Sequence, residues 1–369
     1  MHKSYSKCEK RKILQNGHDW MWEYHKRIVI LVLLLLSIRM VFPEQGAPVV
    51  RIRVVGDIML GTLTPEGFLR PEEKGNILKY INPYLLDADL TLGNLEGTLC
   101  DSGVSDKCEP DSLDCYLFRM PEKYGQILKT AGFDFISLAN NHVGDFGADC
   151  IERTELILDS LNIGWSGKPG TFSSRKVGEV EIAFVAFHSG GYCNSSLDLE
   201  KAVKFVQDLK SSHDLVIVSL HGGAEGLAAM SLPDSMEYYL GERRGHLRAF
   251  THQIIDAGAD LIFGHGPHVA RAMELYSGKL IAYSLGNFAT YGRFNLQEDR
   301  RFGAILEVEM TKSGELIGAN ILSTEQKYWG VPFIDSENRF SHLVDSLSQA
   351  DLPVTGARFL PSGQLVLGN

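Results

Sequence analysis

From about residue 49 onward, short apolar runs alternate with stretches in which apolar residues recur every three or four positions. The runs predict strands and the stretches predict amphipathic helices. The predicted strands are RIRVV, ADLTL, FDFISL, VEIAFVAF, DLVIVSL, ADLIF and KLIAYSL. The predicted helices span residues 73–86, 121–131, 150–161, 199–209 and 237–257. This alternation predicts a layered α/β domain in which helices cover the faces of fully apolar strands.

A different pattern precedes this body. Basic residues lead into the apolar run IVILVLLLLSI at residues 28–38, which is shorter than the roughly 20 residues that span a membrane. The run predicts a signal peptide or, if residues 28–42 stay uncleaved, an inner-membrane anchor. We therefore expect export to the periplasm, the cell envelope or the exterior. The predicted division is a leader at 1–48, a main domain at 49–325, and a C-terminal tail or small appended lobe at 326–369.

Composition narrows the class of partner. The chain has 369 residues, 44% of them hydrophobic, and a formal net charge of −10. This acidic balance argues against nucleic acid as a partner. The segment CDSGVSDKCEPDSLDC indicates an irregular loop, in which one disulfide among Cys100, Cys108 and Cys115 is expected with its pairing left open. A zinc site is the rival interpretation, but the cysteine spacing suits it poorly.

Side chains that can bind metal follow six of the predicted strands. Ligands of layered α/β sheets bind at the carboxyl ends of strands, so these side chains are expected at one rim. Each alone is compatible with an ordinary turn or cap, whereas the combination of carboxylate, carboxamide and imidazole predicts one or two divalent cations. Manganese, iron or zinc fits this set better than calcium or magnesium. The residues are Asp57, Asn94, Glu96, Asn141, His142, His221, His265, His268 and Asn287.

The ordered motifs GDIMLG, GNLEG, LANNH, SLHGG, DAGADLIFGHGPHV and YSLGNF resemble the bacterial capsule-synthesis CapA family, a branch of the calcineurin-like metallophosphoesterase superfamily. The resemblance covers residues 50–323. It implies a four-layer α/β sandwich of the calcineurin-like metallophosphoesterase type and a location in the envelope. It also implies a role in making or anchoring an anionic extracellular polymer such as poly-γ-glutamate. The implied partners are that polymer or its precursor and the membrane-bound synthesis machinery.

The resemblance also assigns roles to residues. Asp57 and His142 are the implied catalytic residues, with His142 acting on the leaving group. The sequence departs from the superfamily at Met59, which replaces a histidine, and at GNLEG, where Asn94 or Glu96 replaces a bridging aspartate. Glu96 is the favoured substitute because a carboxylate neutralises cations better than a carboxamide. The implied metal ligands are Asp57, Glu96 or Asn94, Asn141, His221, His265 and His268.

These features predict a metal-dependent hydrolase in which the cations polarise a phosphoryl or acyl oxygen and supply hydroxide near neutral pH. Two alternatives stay open: a polymer-binding or export scaffold without catalysis, favoured by Met59, and a metal-dependent hydrolase of γ-glutamyl amides. Arg271 and Arg293 follow the last two motifs and Asn287 lies within YSLGNF; all three are predicted to bind substrate. For the two arginines, an ordinary surface position is the alternative.

Overall fold

The structure is a computed structural model that describes residues 48–108 and 115–367. The predicted leader and its apolar run at residues 28–38 lie outside the described residues. Within the described ranges, no helix has the length and apolar character needed to cross a bilayer.

Twenty strands, β1 to β20, follow one another along the described part of the chain. They are β1 (Val49–Met59), β2 (Gly61–Thr62), β3 (Phe68–Leu69), β4 (Leu90–Leu95), β5 (Thr98–Leu99), β6 (Arg119–Met120), β7 (Phe135–Ser137), β8 (Gly164–Ser166), β9 (Ser173–Val177), β10 (Val180–His188), β11 (Leu215–His221), β12 (Glu237–Tyr239), β13 (Glu242–Gly245), β14 (Leu261–His265), β15 (Met273–Tyr276), β16 (Lys279–Ala282), β17 (Asn287–Thr290), β18 (Phe302–Thr311), β19 (Leu316–Lys327) and β20 (Val331–Ile334).

The α-helices are α1 (Asn82–Leu85), α2 (Gly125–Thr130), α3 (Gly147–Ser160), α4 (Leu199–Lys210), α5 (Leu247–Asp256) and α6 (Arg339–Asp351). Short 3₁₀ turns cover Glu72–Lys74, Glu122–Tyr124, Leu227–Ala229 and Glu298–Arg301. Local sequence explains the start of α4, where the Asp198 side chain accepts a hydrogen bond from the Lys201 amide.

Two sheets form the centre of the fold. The first has the order β20-β19-β18-β1-β4-β7-β8, with β17 also paired to β1. In this sheet β1, β4, β7 and β8 run parallel, whereas β18 joins β1 antiparallel. The second has the order β15-β16-β14-β11-β10-β9, in which the strands from β16 to β10 are parallel. The parallel strands therefore direct their carboxyl ends toward two neighbouring rims.

The sheets pack face to face. Phe135 of the first sheet stacks on Phe184 of the second, with ring centroids 5.2 Å apart. Helices α1, α2 and α3 add buried Leu85, Leu128 and Leu158 to this core. Helices α4 and α5 pack on the other face of the second sheet and form a separate core. The layers are helices, sheet, sheet and helices, which confirms the predicted four-layer α/β sandwich.

Two predicted helices are wrong over part of their length. Residues 73–86 contain only a 3₁₀ turn and the four-residue α1, because Gly75 at φ 68° and Pro83 interrupt the helical pattern. In the predicted helix at 237–257, the first half is the hairpin β12–β13. Gly241 turns this hairpin at φ 82°, and only the second half is helical as α5.

The cysteines tie an irregular loop to a helix. Cys108 pairs with Cys115 inside the loop, and Cys100 pairs with Cys150 of α3, 50 positions away. Cys193 is buried and, among the residues that the structure describes, has no disulfide partner.

The C-terminal segment after residue 325 packs against both sheets. The predicted boundary at residue 325 falls within β19. After it, β20 pairs with β19 at the edge of the first sheet, and α6 contacts strands of both sheets. Phe340 of α6 is fully buried in the core between them.

Candidate metal centre

Three strands of the first sheet align polar residues in one row. Asp57 of β1 is in register with Asn94 of β4 on one side and with Asn287 of β17 on the other. The close approach of β17 requires Gly56, because a β-carbon there would lie 2.0 Å from the Gly286 carbonyl oxygen. The sequence Gly-Asp therefore places a carboxylate where two strands meet β1.

The second sheet aligns three histidines in the same way. His188, His221 and His265 end β10, β11 and β14 in register with one another. In β11, Leu215 and Ile217 face the core between the sheets, so the alternation of side chains also turns His221 inward. His188 Nδ1 lies 2.9 Å from the His221 carbonyl oxygen, which fixes its ring beside that strand end.

The two rows meet in a compact cluster. Asp57, Glu96 and His221 are fully buried and each offers one ligand atom within 4.8 Å of the others. Asn94 Nδ2 donates to Asp57 Oδ1 at 2.9 Å and to Glu96 Oε2 at 2.6 Å, while its own oxygen accepts from Asn140. Asn94 thus links the carboxylates, and Glu96 retains an uncommitted oxygen.

His265 and His268 also lie against Asp57. His268 Nδ1 lies 2.8 Å from Asp57 Oδ2, and its backbone takes the left-handed value φ 58°. His265 Nδ1 is 3.4 Å from Asp57 Oδ1 without the alignment of a hydrogen bond. Two imidazoles therefore converge on the carboxylate that the first sheet supplies.

Several buried ligand atoms here have no hydrogen-bond partner among the residues that the structure describes. Such groups are rare in folded proteins, because each loses its hydration without compensation. Carboxylate oxygen, amide oxygen and imidazole nitrogen together suit a divalent transition-metal cation. The donor set therefore fits the cation that the sequence predicts. The atoms of the cluster are Glu96 Oε1, His221 Nε2, and both Nδ1 and Nε2 of His265, and the amide oxygens of Asn141 and Asn287 are buried without a partner as well.

The protonation states of the cluster are set by burial and by mutual contacts. Burial, followed by the charge of Asp57, raises the pKa of Glu96 well above its ordinary value. Burial raises the pKa of Asp57 too, but its contacts with His265 and His268 outweigh this and hold it well below the ordinary value. Two adjacent carboxylates with such opposed pKa values are a feature of functional sites.

The imidazoles respond in opposite directions. Burial, followed by the nearby His188, lowers the pKa of His221 well below its ordinary value. Burial also lowers the pKa of His268, but the hydrogen bond to Asp57 reverses the effect and raises it to about 9. His221 is therefore neutral at physiological pH, which is the form that binds a metal, whereas His268 must lose a proton first.

His142 lies next to the cluster in a different environment. Its Nδ1 lies 2.8 Å from Asp145 Oδ2, its ring lies 4.2 Å from that of Phe118, and its amide donates to Asn140 Oδ1. Lys107, from the disulfide-linked loop, forms an ion pair with Asp145. Burial lowers the pKa of His142, and the charge of Asp145 only partly opposes this. The arrangement leaves Nε2 of His142 for an incoming group.

The residues predicted to bind substrate occupy three kinds of position. Arg271 is fully buried, and its guanidinium donates to both carboxylate oxygens of Glu237 and to the Ala229 carbonyl. It holds the β12 hairpin and is not a surface arginine. Arg293 packs over the rings of Phe68 and Tyr116 near the loop. Asn287 donates to the His268 carbonyl, so it supports a ligand loop.

Sequence reasoning missed three residues of this region. His188 ends a strand as VAFH, which is the same signal as VSLH and LIFGH and was available in the sequence. Asp145 lies three positions after the motif LANNH and Glu225 two positions after SLHGG, but only the structure shows that they lie beside His142 and His268. Glu225 Oε2 is 3.9 Å from His268 Nε2.

Together, the fold and the cluster define an α/β sandwich protein with a candidate metal centre at the carboxyl ends of the parallel strands in its two sheets. The pattern of the family described as bacterial capsule synthesis protein PGA_cap matches residues 51–291. The chain belongs to this family.

Individual relatives agree with this assignment. The chain is 27% identical over 288 residues to the capsule biosynthesis protein CapA of Bacillus anthracis, which covers 70% of this chain and 66% of that protein. It is 26% identical over 279 residues to the PGA biosynthesis protein CapA of Bacillus subtilis, covering 70% and 67%. The matched part thus spans about two thirds of each relative.

A solved structure of a 5'-nucleotidase precursor from Thermus thermophilus is similar with a TM-score of 0.42 and 10% identity, covering 83% of this chain and 60% of that one.

Proposed function

We propose that this protein is a metal-dependent hydrolase of the cell envelope that acts in the synthesis of an anionic capsule polymer. One observation carries the proposal: buried ligand atoms of Glu96, His221 and His265 have no hydrogen-bond partner among the described residues. His142, which Asp145 orients, is linked to this cluster through Asn140 and Asn94. Membership of the capsule synthesis family supports the biological setting.

The division of labour follows from the contacts. Asp57, Glu96, Asn141, His221, His265 and His268 would hold one or two cations. A divalent cation supplies Lewis acidity toward a phosphoryl or acyl oxygen. Asp145 holds the Nδ1 side of His142 and favours its protonated ring against the effect of burial, and in this imidazolium form Nε2 can give a proton to a leaving group. Phe118 covers the His142 ring and excludes water from one face.

Two neighbouring residues separate binding from proton transfer. Asn141→Ala should reduce the metal content of the full chain, because it removes an amide oxygen that has no other described partner. His142→Ala should keep the metal and lose about 10²–10⁴-fold in turnover, which is the usual contribution of a general acid. Elemental analysis and a turnover assay measure the two effects.

Matched controls exist for both substitutions. Asn140→Ala removes the adjacent asparagine, whose oxygen already accepts a hydrogen bond from the His142 amide. This variant should have a lower melting temperature, and its metal content per folded molecule should stay close to that of the wild type. His342→Ala removes an exposed histidine of α6 and should change neither quantity. Equal losses of melting temperature in Asn141→Ala and His142→Ala, with unchanged metal content, would reject the site.

The reacting bond is identified by parallel assays. The manganese-loaded full chain is tested on an aryl phosphate and on a γ-glutamyl anilide, each with its own His142→Ala control. Turnover of the first supports a phosphoesterase, and turnover of the second supports the γ-glutamyl amide hydrolase.

Met59 favours a second candidate, a polymer-binding or export scaffold that performs no catalysis. Met59 is fully buried, and its sulfur accepts the Gly61 amide at 3.3 Å, so it offers no nitrogen ligand where the superfamily has histidine. A metal-loaded protein that turns over neither substrate, yet binds poly-γ-glutamate, would favour this candidate over the hydrolase.

Export is the remaining part of the proposal. The family and its relatives support an association with the envelope and with the capsule synthesis machinery. An alkaline phosphatase reporter fused after Val50 should be active outside the cytoplasm. A fusion that stays inactive in the cytoplasm would contradict export.

A further inference from the structure

Arg244 lies on the hairpin β12–β13, beside the end of the strand that carries His221. Its carbonyl accepts a hydrogen bond from the Gly223 amide at 2.9 Å, two residues after His221. The backbone of Arg244 is therefore fixed against the rim of the candidate metal centre.

The guanidinium of Arg244 is buried but incompletely paired. The residue is 3% exposed, and neither Nε nor Nη1 has a hydrogen-bond partner in the described part of the chain. Nη1 lies 3.2 Å from Glu225 and Nη2 lies 3.2 Å from Glu242, so the charge is balanced although the donors are not aligned. A buried arginine in this state has spare donors for an oxyanion.

Arg271, which lies between β14 and β15 and pairs with Glu237 of the same hairpin, provides the contrast. It is also buried, but its donors are directed to both oxygens of Glu237 and to backbone carbonyls. In the other described arginines with a buried nitrogen that lacks a hydrogen-bond partner, Nε is the one such buried atom; they are Arg119, Arg248, Arg293 and Arg301. Arg244 leaves two nitrogens unpaired, which distinguishes it from an arginine that only supports the fold.

A short chain of contacts connects Arg244 to the ligands. Glu225 lies 3.2 Å from Arg244 through one oxygen and 3.9 Å from His268 Nε2 through the other. On the other side, burial lowers the pKa of His188 to about 4, and the charge of Arg244 adds to this effect. An anion on Arg244 would therefore lie about one side chain away from the candidate metal centre.

We propose that Arg244 binds a second anionic group of the substrate, a carboxylate or a phosphate, that is distinct from the group that reacts. Guanidinium recognises both groups through paired N–H donors. The proposal rests on the proposed function only in assigning the anion to the substrate, because anion binding itself requires no turnover. Glu225 competes with the anion for the guanidinium.

The test is calorimetric titration of the full chain, stripped of metal with a chelator, with inorganic phosphate and separately with glutarate. We expect Arg244→Gln to weaken binding of the better probe by at least about 10-fold, because it removes charge and donors together. Arg243→Gln removes the same charge from the exposed neighbouring residue and should change affinity less than about 2-fold. Glu225→Gln should tighten binding, since it removes the competing carboxylate.

The probes separate the two anion classes, because a phosphate site prefers phosphate and a carboxylate site prefers glutarate. If Arg244→Gln does not fold, Arg244→Lys keeps the charge, and its binding should still be weaker than that of the wild type. The proposal is overturned if the wild type binds neither probe, or if Arg244→Gln and Arg243→Gln bind equally. Absence of turnover in the metal-loaded protein, with anion binding intact, would reject the proposed function and leave this site standing.

Discussion

Two buried glutamates of this protein have opposite surroundings. Glu96 and Glu274 are both fully buried, and each belongs to a cluster of polar side chains. Glu274 accepts hydrogen bonds from Thr355 Oγ1 and Tyr283 OH, and it contacts His252 Nε2 at 2.9 Å. Glu96 has one oxygen held by Asn94 and a second oxygen with no partner in the described chain.

The pKa values follow this difference. Burial raises the pKa of both carboxyls. For Glu274 the hydrogen bonds from Thr355, Tyr283 and His252 outweigh burial and lower the pKa below 4.5, whereas for Glu96 the nearby Asp57 adds to burial. A buried carboxylate whose oxygens all accept hydrogen bonds stabilises the fold, whereas a buried oxygen without a partner indicates a binding site.

The largest expected effect is on metal binding by Glu96→Gln. Loss of groups that only support ligands costs about 10–100-fold in metal affinity, so loss of a ligand oxygen should cost at least about 100-fold. Glu274→Gln is the matched control and should bind manganese like the wild type. Manganese titration with elemental analysis measures both, and equal metal content in the two variants would contradict the distinction.

Metal should also stabilise the protein through the Glu96 cluster alone. At a free manganese concentration 100 times the dissociation constant, the free energy of unfolding should rise by about 2.7 kcal/mol. Thermal or urea unfolding of the wild type and of Glu96→Gln at one manganese concentration tests this. A rise of the same size in both proteins would place the metal elsewhere.

In the cluster around Glu274, where both carboxylate oxygens have partners, Glu274→Gln should lower the free energy of unfolding by about 2 kcal/mol at pH 7. This is the usual contribution of hydrogen bonds to a charged group. Because the folded pKa of Glu274 is below 4.5, its stabilisation is present above that pH and is lost as pH falls through the folded pKa. The difference between wild type and variant should therefore shrink in acid. Urea unfolding at pH 7 and below pH 4 measures it, and a constant difference would argue against an ionised Glu274.

The smallest effect is expected from Thr355→Val, which removes one donor to Glu274 and keeps the shape of the side chain. Thr355 is only partly buried, so water can replace it, and the loss should be about 1 kcal/mol in the free energy of unfolding. Urea unfolding measures this loss, which should be nearly absent when Glu274 is already glutamine. An undiminished loss in the double variant would show that Thr355 acts independently of Glu274.

The sequence predicts the candidate centre better than the Glu274 cluster for a physical reason. Predicted ligand residues such as Asp57 and His221 follow the apolar run of a strand, so a local pattern marks each of them, and parallel strands bring these positions together. Glu274 has no local mark, because its partners His252, Tyr283 and Thr355 lie 22, 9 and 81 positions away. Only the folded chain brings them into contact.

Local sequence patterns also account for what was right and wrong in the predicted fold. Strand and helix periodicity predicts a layered α/β domain, and the family resemblance implies its four layers, but the hairpin at 237–245 has helix-compatible spacing that Gly241 and Gly245 override with positive φ. His188 was predictable from its strand end. The pairing of Asn94 with two carboxylates, in contrast, depends on side-chain orientation that no spacing encodes.

The register of the three histidines sets what kind of sequence change this protein can tolerate. A residue inserted in the loop after His221 leaves the imidazole in place. A residue removed from β11 before it would turn His221 from the face between the sheets to the face covered by α4 and α5, because successive side chains alternate. We therefore expect related chains to differ more in the lengths of these loops than in the number of residues between the start of each strand and its histidine.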